Sequence, residues 1–539
     1  MPNMAPTIIR RHAPEVLSPA GSLRGLKIAV DYGADAVYCG GKAFGMRSAP
    51  RNLSLEDFEE GARYAHERGA RVYVTLNVLP RNAEVEAMRD YIGQLKDTGI
   101  DAMIVTDIGV MMMAHRIAPD VELHVSTQAG VTNYGAAQAL YEFGARRVVL
   151  AREMDLQAVR DIRARIPDDM DIECFVHGAM CMAFSGRCLF SNYLTGRDGN
   201  HGECAQPCRW KYSIVEEKRP GQYYPIEQTE EGAYLFNSQD MRMLDHIDDL
   251  IDSGATSLKI EGRSKSAYYI AAMTNAYKSA VNEYMVQRGF ETADGEVLKP
   301  FHDRVIREGD PDWESSITVA PDAIEAHADG AFAGVPGEAP EEGDAADENR
   351  TAATTVTEDA AARSAGGVEL DKLSYKARSD RRKSNTRPEV LPEGWHHAKC
   401  RPAPHVTLPE WLVEEPGKVA HRDYSTGFYY PEHKVTQNTD RSGYFRDWVL
   451  TGETRGWADG RLTFMGHNKI APGQRVEILR PGQPPLVIEA VADSIRDAEG
   501  EPVAAAAYPT RLFSIDCPEP VADGLMMRSP AAKRTLKAA

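Results

Sequence analysis

The chain has 539 residues, 42% hydrophobic and 26% charged, with a formal net charge of −18. That length exceeds one ordinary domain, the balance is globular, and the lack of an apolar run of about 18 residues excludes a transmembrane helix. Arg10 and Arg11 have no apolar stretch after them, which argues against a signal peptide, and four of the eight cysteines fall in one 28-residue window, which fits a reducing, cytoplasmic setting better than a disulfide framework.

Read from the N-terminus, the first 290 residues repeat one unit. A helix ends at glycine, a small residue and a turn follow, and a short apolar run comes next; Gly33-Ala34-Asp35, Gly69-Ala70-Arg71, Gly99-Ile100-Asp101, Gly144-Ala145-Arg146 and Gly254-Ala255-Thr256 are the joints. Glycine suits the left-handed residue just past a helix. Eight runs read as strands: Glu15–Ser18, Ala36–Cys39, Val72–Val78, Ala102–Thr106, Glu122–Ser126, Arg147–Ala151, Asp171–Val176 and Ser257–Ile260. Ser54 opens a capping box, and Asp155 caps a helix with Leu156, Val159, Ile162 and Ile166 on its inner face. The predicted class is α/β, a (β/α)8 TIM-like barrel over 14–300, with an open doubly wound sheet as the alternative.

Strands two to seven start roughly 20–36 residues apart, but about 80 residues separate the seventh from the eighth. That insertion, 179–256, leaves the C-terminal end of its strand, the face where barrels carry chemistry. Residues 301–403 read as an acidic, disordered insert with a basic end. Glu308 to Asp371 holds 17 acidic and 2 basic residues, and Lys372 to Arg401 holds 9 basic and 3 acidic. Outside Glu308 to Asp371 the chain therefore carries only −3, and net charge does not exclude nucleic acid. Residues 404–432 read as a segment returning to the barrel, and 433–530 as a small antiparallel β-barrel with Pro-Gly turns.

Inside the insertion, Cys181, Cys188, Cys204 and Cys208 form C-x6-C-x15-C-x3-C. Four thiolates suit a zinc ion or a 4Fe–4S cluster, and spacing leaves both open. Cys39 reads as strand packing. The same loop carries Arg187, Arg197, Arg209, Lys211, Lys218 and Arg219, interleaved with Phe184, Phe190, Tyr193, Trp210 and Tyr212. Cations for phosphates beside rings for unstacked bases suit single-stranded RNA, whereas a solvated loop over a small core is the plain alternative. Strand ends add Asn77, Asp107, His124, Gln128, Glu173, His177, Lys259, Glu261 and Arg263 as expected mouth residues.

The stretch Glu173-Cys174-Phe175-Val176-His177-Gly178-Ala179-Met180-Cys181, running on to Ser185-Gly186-Arg187-Cys188, resembles the signature of the U-32 peptidase family, also called collagenase-like. Ser191–Asp198, Cys204-Ala205-Gln206-Pro207-Cys208-Arg209-Trp210, Leu258–Arg263 and His421–Tyr429 are similar to one branch of it, the prephenate-dependent tRNA uridine 5-hydroxylation enzymes. The resemblance covers about 14–290 and 404–530. It implies a 4Fe–4S cluster on the four cysteines, a C-terminal β-barrel, prephenate as co-substrate, and tRNA, at its anticodon loop, as partner. On that reading Glu173, His177, Lys259 and Glu261 are the catalytic candidates, and His124, Arg187, Arg197, Arg209, Lys259 and Arg263 hold substrate. A peptidase is the alternative, although the sequence has no H-E-x-x-H motif and no G-x-S-x-G elbow. A non-catalytic RNA-binding protein with a structural metal ranks third.

Overall fold

The computed structural model describes residues 7–9, 13–45, 52–167, 169–181, 183–184, 186–210, 212–215, 223–225, 238–298, 302–304, 405–433 and 444–531. Lys211, Lys218, Arg219 and nearly all of the 301–403 insert lie outside these residues. One boundary changes: His302–Arg304 is a strand, paired antiparallel with Thr7–Ile9, so the first residues assigned to the insert are ordered sheet.

Eight parallel strands close into a barrel: β1 (Glu15–Ala20), β2 (Ala36–Gly40), β3 (Arg71–Leu76), β4 (Ala102–Val105), β5 (Glu122–Val125), β6 (Ala145–Val149), β7 (Asp171–Ala179) and β8 (Ser257–Ile260). Closure is explicit in the register, because Ser257 of β8 pairs with both Glu15 of β1 and Glu173 of β7. The open doubly wound sheet is thereby excluded. Alternation along the strands builds two layers. Leu17, Tyr38, Tyr73, Ala102 and Ile104 fill the interior, while Val16, Val37, Val72, Val74 and Met103 face the helices. Each such side chain taken fully out of water contributes about 1.5–3 kcal/mol.

The surrounding helices are α1 (Leu23–Asp31), α2 (Leu55–His66), α3 (Val85–Leu95), α4 (Ile108–Ile117), α5 (Tyr134–Glu142), α6 (Leu156–Arg163), α7 (Ile247–Asp252) and α8 (Ala267–Gln287). Ser54 and Asp57 form the expected capping box on α2, and Asp155 caps α6 through the Ala158 amide at 2.7 Å. After α7, Gly254 holds a φ of +103°, and a Cβ there would meet Arg163 at 2.5 Å, so both backbone and space require glycine.

Helix α8 is buried almost all round, because it lies between the barrel and the C-terminal sheet. Asn275 donates to the Arg480 carbonyl and accepts from the Gly482 amide, and Tyr268 donates to the Lys418 carbonyl. The C-terminal sheet contains β9 (Trp448–Ala458), β10 (Arg461–Gly466), β11 (Arg475–Ile478), β12 (Leu486–Glu489), β13 (Leu512–Asp516) and β14 (Met526–Pro530), ordered β12-β11-β14-β9-β10-β13 and wholly antiparallel. It curls around its own core of Leu462, Phe464, Val476, Ile478, Phe513 and Ile515. No ladder joins its two edge strands among the described residues, so it is a curled sheet and not a closed barrel. Asp459 and Gly460, both at positive φ, make the two-residue turn between β9 and β10. Buried Arg528 pairs with Glu477 of the same sheet (2.7 Å) and ties the sheet to the preceding segment through Glu415 (2.6 Å).

Candidate functional site at the barrel mouth

The sequence-selected polar residues do not share one place. At the strand N-termini, Arg147 of β6 is buried and donates to Glu15 (2.5 Å), Asp171 (3.1 Å), Glu173 (3.3 Å) and Ser257 (3.2 Å). Tyr73 donates to Glu15 at 2.6 Å. Burial pushes the Glu15 carboxyl up, but the Arg147 charge and these hydrogen bonds outweigh it and hold the group at about 2. This network plugs the base of the barrel.

His124 belongs to that plug and not to the mouth. It is the third residue of β5 and fully buried, with Nε2 3.1 Å from Glu122 and its ring edge-on to Tyr73. Burial, then the Arg147 charge, lowers its pKa, so it is neutral. Strand position, invisible when only strand ends are scanned, decides this.

Glu173 and Lys259 are also interior. The ammonium is 2.5 Å from the carboxylate and lies over the Tyr38 ring. A second expectation fails at His177. The strand runs on to Ala179, and the imidazole packs among Tyr269 and Tyr277 of α8 and Tyr424, with Nδ1 3.2 Å from the Tyr277 hydroxyl. Burial takes its pKa down to about 3. It is shielded from substrate and is not a proton carrier at the mouth. Asp107 caps α4 through the Val110 amide, and Cys39 is buried in the outer core, as packing would place it.

The C-terminal ends of the strands carry a different set. Arg152, which follows β6 and was not singled out in the sequence, stacks its guanidinium 3.8 Å over Phe175 and reaches Glu261 at 3.5 Å. Its sequence signal was only a cation just after a strand. Arg263 is buried and donates to Thr75 of β3, beside Gly40, where a Cβ would collide with the guanidinium. Gln128 closes β5, and Gly186 of the insertion, at positive φ, lies against its backbone so closely that a Cβ would come within 2.7 Å.

The insertion is clamped at both ends. Asp240–Arg242 pairs antiparallel with His177–Ala179 of β7, and Tyr424–Ser425 pairs parallel beside it. Fully buried Arg422 donates to Asp240 through Nε (3.0 Å) and Nη2 (2.6 Å). Ser238 donates to the Met180 carbonyl, next to Cys181, and Arg209, next to Cys208, donates to Tyr444 at 3.4 Å. His201 and Glu84, 3.1 Å apart, tie the loop to the turn after β3.

The four sulfurs share one neighbourhood. Burial pushes the Cys208 thiol up, Arg209 pulls it down, and Cys181, Cys204 and Cys188 each push it up through their charge. The Gln206 amide donates to Cys204 Sγ at 3.4 Å, and Gly199 packs on the same side chain, so the donor set fits a thiolate-bound group. Arg187 and Arg197 are exposed and Arg209 is half-buried. Among the described residues no helix is long and apolar enough to cross a membrane.

Comparison with known proteins agrees with this architecture. A tRNA hydroxylation protein P1 of Bacillus subtilis is 40% identical over 271 residues, 50% of this chain and 64% of that protein. A 23S rRNA 5-hydroxycytidine C2501 synthase of Escherichia coli is 37% identical over 281 residues, 52% of this chain and 41% of that protein. A collagenase of Porphyromonas gingivalis is 34% identical over 280 residues, 50% of this chain and 66% of that protein. The chain thus spans less than two thirds of each of these relatives. The model of peptidase family U32 matches residues 21–309, most of the barrel and its cysteine loop, and that of the family's C-terminal domain matches 446–528, the curled sheet. By these two matches, which together follow the architecture from barrel to sheet, the chain belongs to peptidase family U32.

Proposed function

We propose that this protein is a cytoplasmic RNA-modifying enzyme that hydroxylates C5 of the wobble uridine in the anticodon loop of tRNA. Prephenate is the co-substrate, and Cys181, Cys188, Cys204 and Cys208 hold a 4Fe–4S cluster. The observation that carries this reading is the placement of one four-cysteine loop, rimmed by exposed rings and arginines, on the face where barrels do chemistry. Relatives named for hydroxylating tRNA and for making 5-hydroxycytidine in rRNA support a pyrimidine C5 of RNA as the target.

When bound, such a cluster supplies electron transfer or a polarising iron. The chain's own residues divide the remaining work. Arg152 and Arg263 offer guanidiniums to the carboxylates of a small acid, and Lys259 sits one layer below them. Glu261 is the carboxylate of the mouth placed to hold or move a proton. The exposed Arg187 and Arg197 meet phosphates.

A peptidase reading is favoured by relatives named as a collagenase and as a protease. Among the described residues neither barrel histidine is bonded to a serine or cysteine nucleophile: His124 meets Glu122 and His177 meets Tyr277. The decisive experiment is mass spectrometry of tRNA nucleosides from a deletion strain carrying the intact gene or a Cys204→Ala copy. The intact gene restores 5-hydroxyuridine-derived nucleosides only with a prephenate source, and the variant does not. Unchanged nucleosides on deletion, with gelatin cleavage by the purified protein, establish the peptidase instead.

A further inference from the structure

Exposed apolar side chains are not evenly spread. Of the sixteen large ones among the described residues, five fall in the cysteine loop: Phe184, Leu189, Tyr193, Leu194 and Trp210. Within that loop the rings divide into two kinds. Phe190 and Tyr212 pack on each other at 6.2 Å, and Tyr212 donates to the Pro207 carbonyl at 2.7 Å. Ser191 Oγ accepts from the Ala205 amide at 3.0 Å, which joins the short helix Phe190–Thr195 to the turn Pro207–Arg209. Tyr193 and Trp210 sit on these same two elements but stand out into solvent, 80% and 44% exposed. A loop that merely covered a small core would have turned them inward.

Arg187 and Arg197 are exposed on the same loop and form no ion pair with any described residue. Arg81, on the turn that the loop touches, is also largely exposed. A ring raised on a fixed support loses little entropy when a flat partner covers it, and every base offers such a face. Cations beside the rings match the phosphates that join successive bases.

We propose that Tyr193 and Trp210 are stacking platforms for unpaired bases of an RNA loop, with Arg187 and Arg197 on the flanking phosphates. The proposal rests on the RNA reading above and adds a recognition mode. The enzyme selects single-stranded loop structure, because paired bases keep their faces covered.

The test uses full-length anaerobic protein with a labelled anticodon-type stem-loop and a fully paired duplex of the same composition. Tyr193→Ala and Trp210→Ala each weaken stem-loop binding at least about tenfold, leave the melting temperature unchanged, and leave weak duplex binding as it was. Tyr193→Phe restores affinity, because the ring acts and not the hydroxyl. Arg197→Ala lowers the slope of log affinity against log salt by about one, whereas the ring variants do not. Wild-type affinity in both ring variants, or equal wild-type affinity for stem-loop and duplex, overturns the proposal. So does ring-dependent self-association with RNA affinity untouched, which assigns the patch to protein contact. If the wild-type protein binds neither RNA and deletion leaves tRNA nucleosides unchanged, the RNA reading itself has failed.

Discussion

Arg147 and Arg152 lie five residues apart around the end of β6 and serve opposite ends of the barrel. At the base, Arg147 has four hydrogen-bond partners, three of them carboxylates, and no access to solvent. At the mouth, Arg152 has one carboxylate at 3.5 Å and an aromatic face beneath it. The difference teaches how to read polar residues in a barrel. A buried cation held by several carboxylates fixes the closure of the sheet, whereas one with a single distant carboxylate at the C-terminal end, such as Arg152, can turn to a ligand.

The largest expected effect comes from breaking the base. Arg147→Met strands Glu15 as an uncompensated carboxylate, while Glu173 keeps Lys259 and Asp171 keeps solvent, and should cost about 3–5 kcal/mol, read as a fall in the denaturation midpoint. Arg152→Met should leave the midpoint within about 1 kcal/mol and abolish the proposed hydroxylation at low concentration of the proposed co-substrate. Equal destabilisation by the two would remove the distinction between the two ends.

The clamp on the cysteine loop comes next in size. Arg422→Met leaves Asp240 buried without its cation, so the extension on β7 loosens at both Cys181 and, through Tyr444 and Arg209, Cys208. Iron and sulfide of the proposed cluster should be lost under mild chelation at least about tenfold faster than from the wild-type protein, at temperatures where the barrel remains folded. Loss of iron only together with global unfolding would show that the pair serves the barrel as a whole.

Smallest, taken per unit of pH, is the pH dependence of the interior. Unfolded, His177 takes its proton near 6.5; folded, only near 3, so between these values the unfolded state holds more protons. Stability therefore falls as pH drops from about 6.5, by up to about 1.4 kcal/mol per unit. Glu15 adds a second loss as pH falls from about 4.5 toward 2, through its lowered folded pKa. His177→Phe should shrink the first window to the part that buried His124, also lowered, contributes, and leave the second. A wild-type midpoint that is level between pH 6.5 and 4.5 would contradict the neutral, buried imidazole.

Much of the fold was legible because its rules are local. Glycine after most of the helices, short buried apolar runs and the Ser54 and Asp155 caps are written into neighbouring residues. All eight strands follow from them within a few positions. The four cysteines were legible for the same reason, as a spacing on one loop. The polar site was legible only in part. Strand position assigned His124 to the base, and the continuation of β7 to Ala179 turned His177 toward α8. Arg152 gave no signal beyond its charge, because its stacking partner Phe175 is on the next strand.

By itself, then, the chain determined its elements, their alternation and the loop that bears the thiolates, since each depends on residues close in sequence. Tertiary structure decided barrel closure, the separation of base charges from mouth charges, and which rings of the cysteine loop are free. These depend on register between strands far apart in the chain, such as Ser257 with Glu15, and on contacts such as Asp240 with Arg422. Such pairings are set by packing and by the need to satisfy buried charge, and local pattern carries neither.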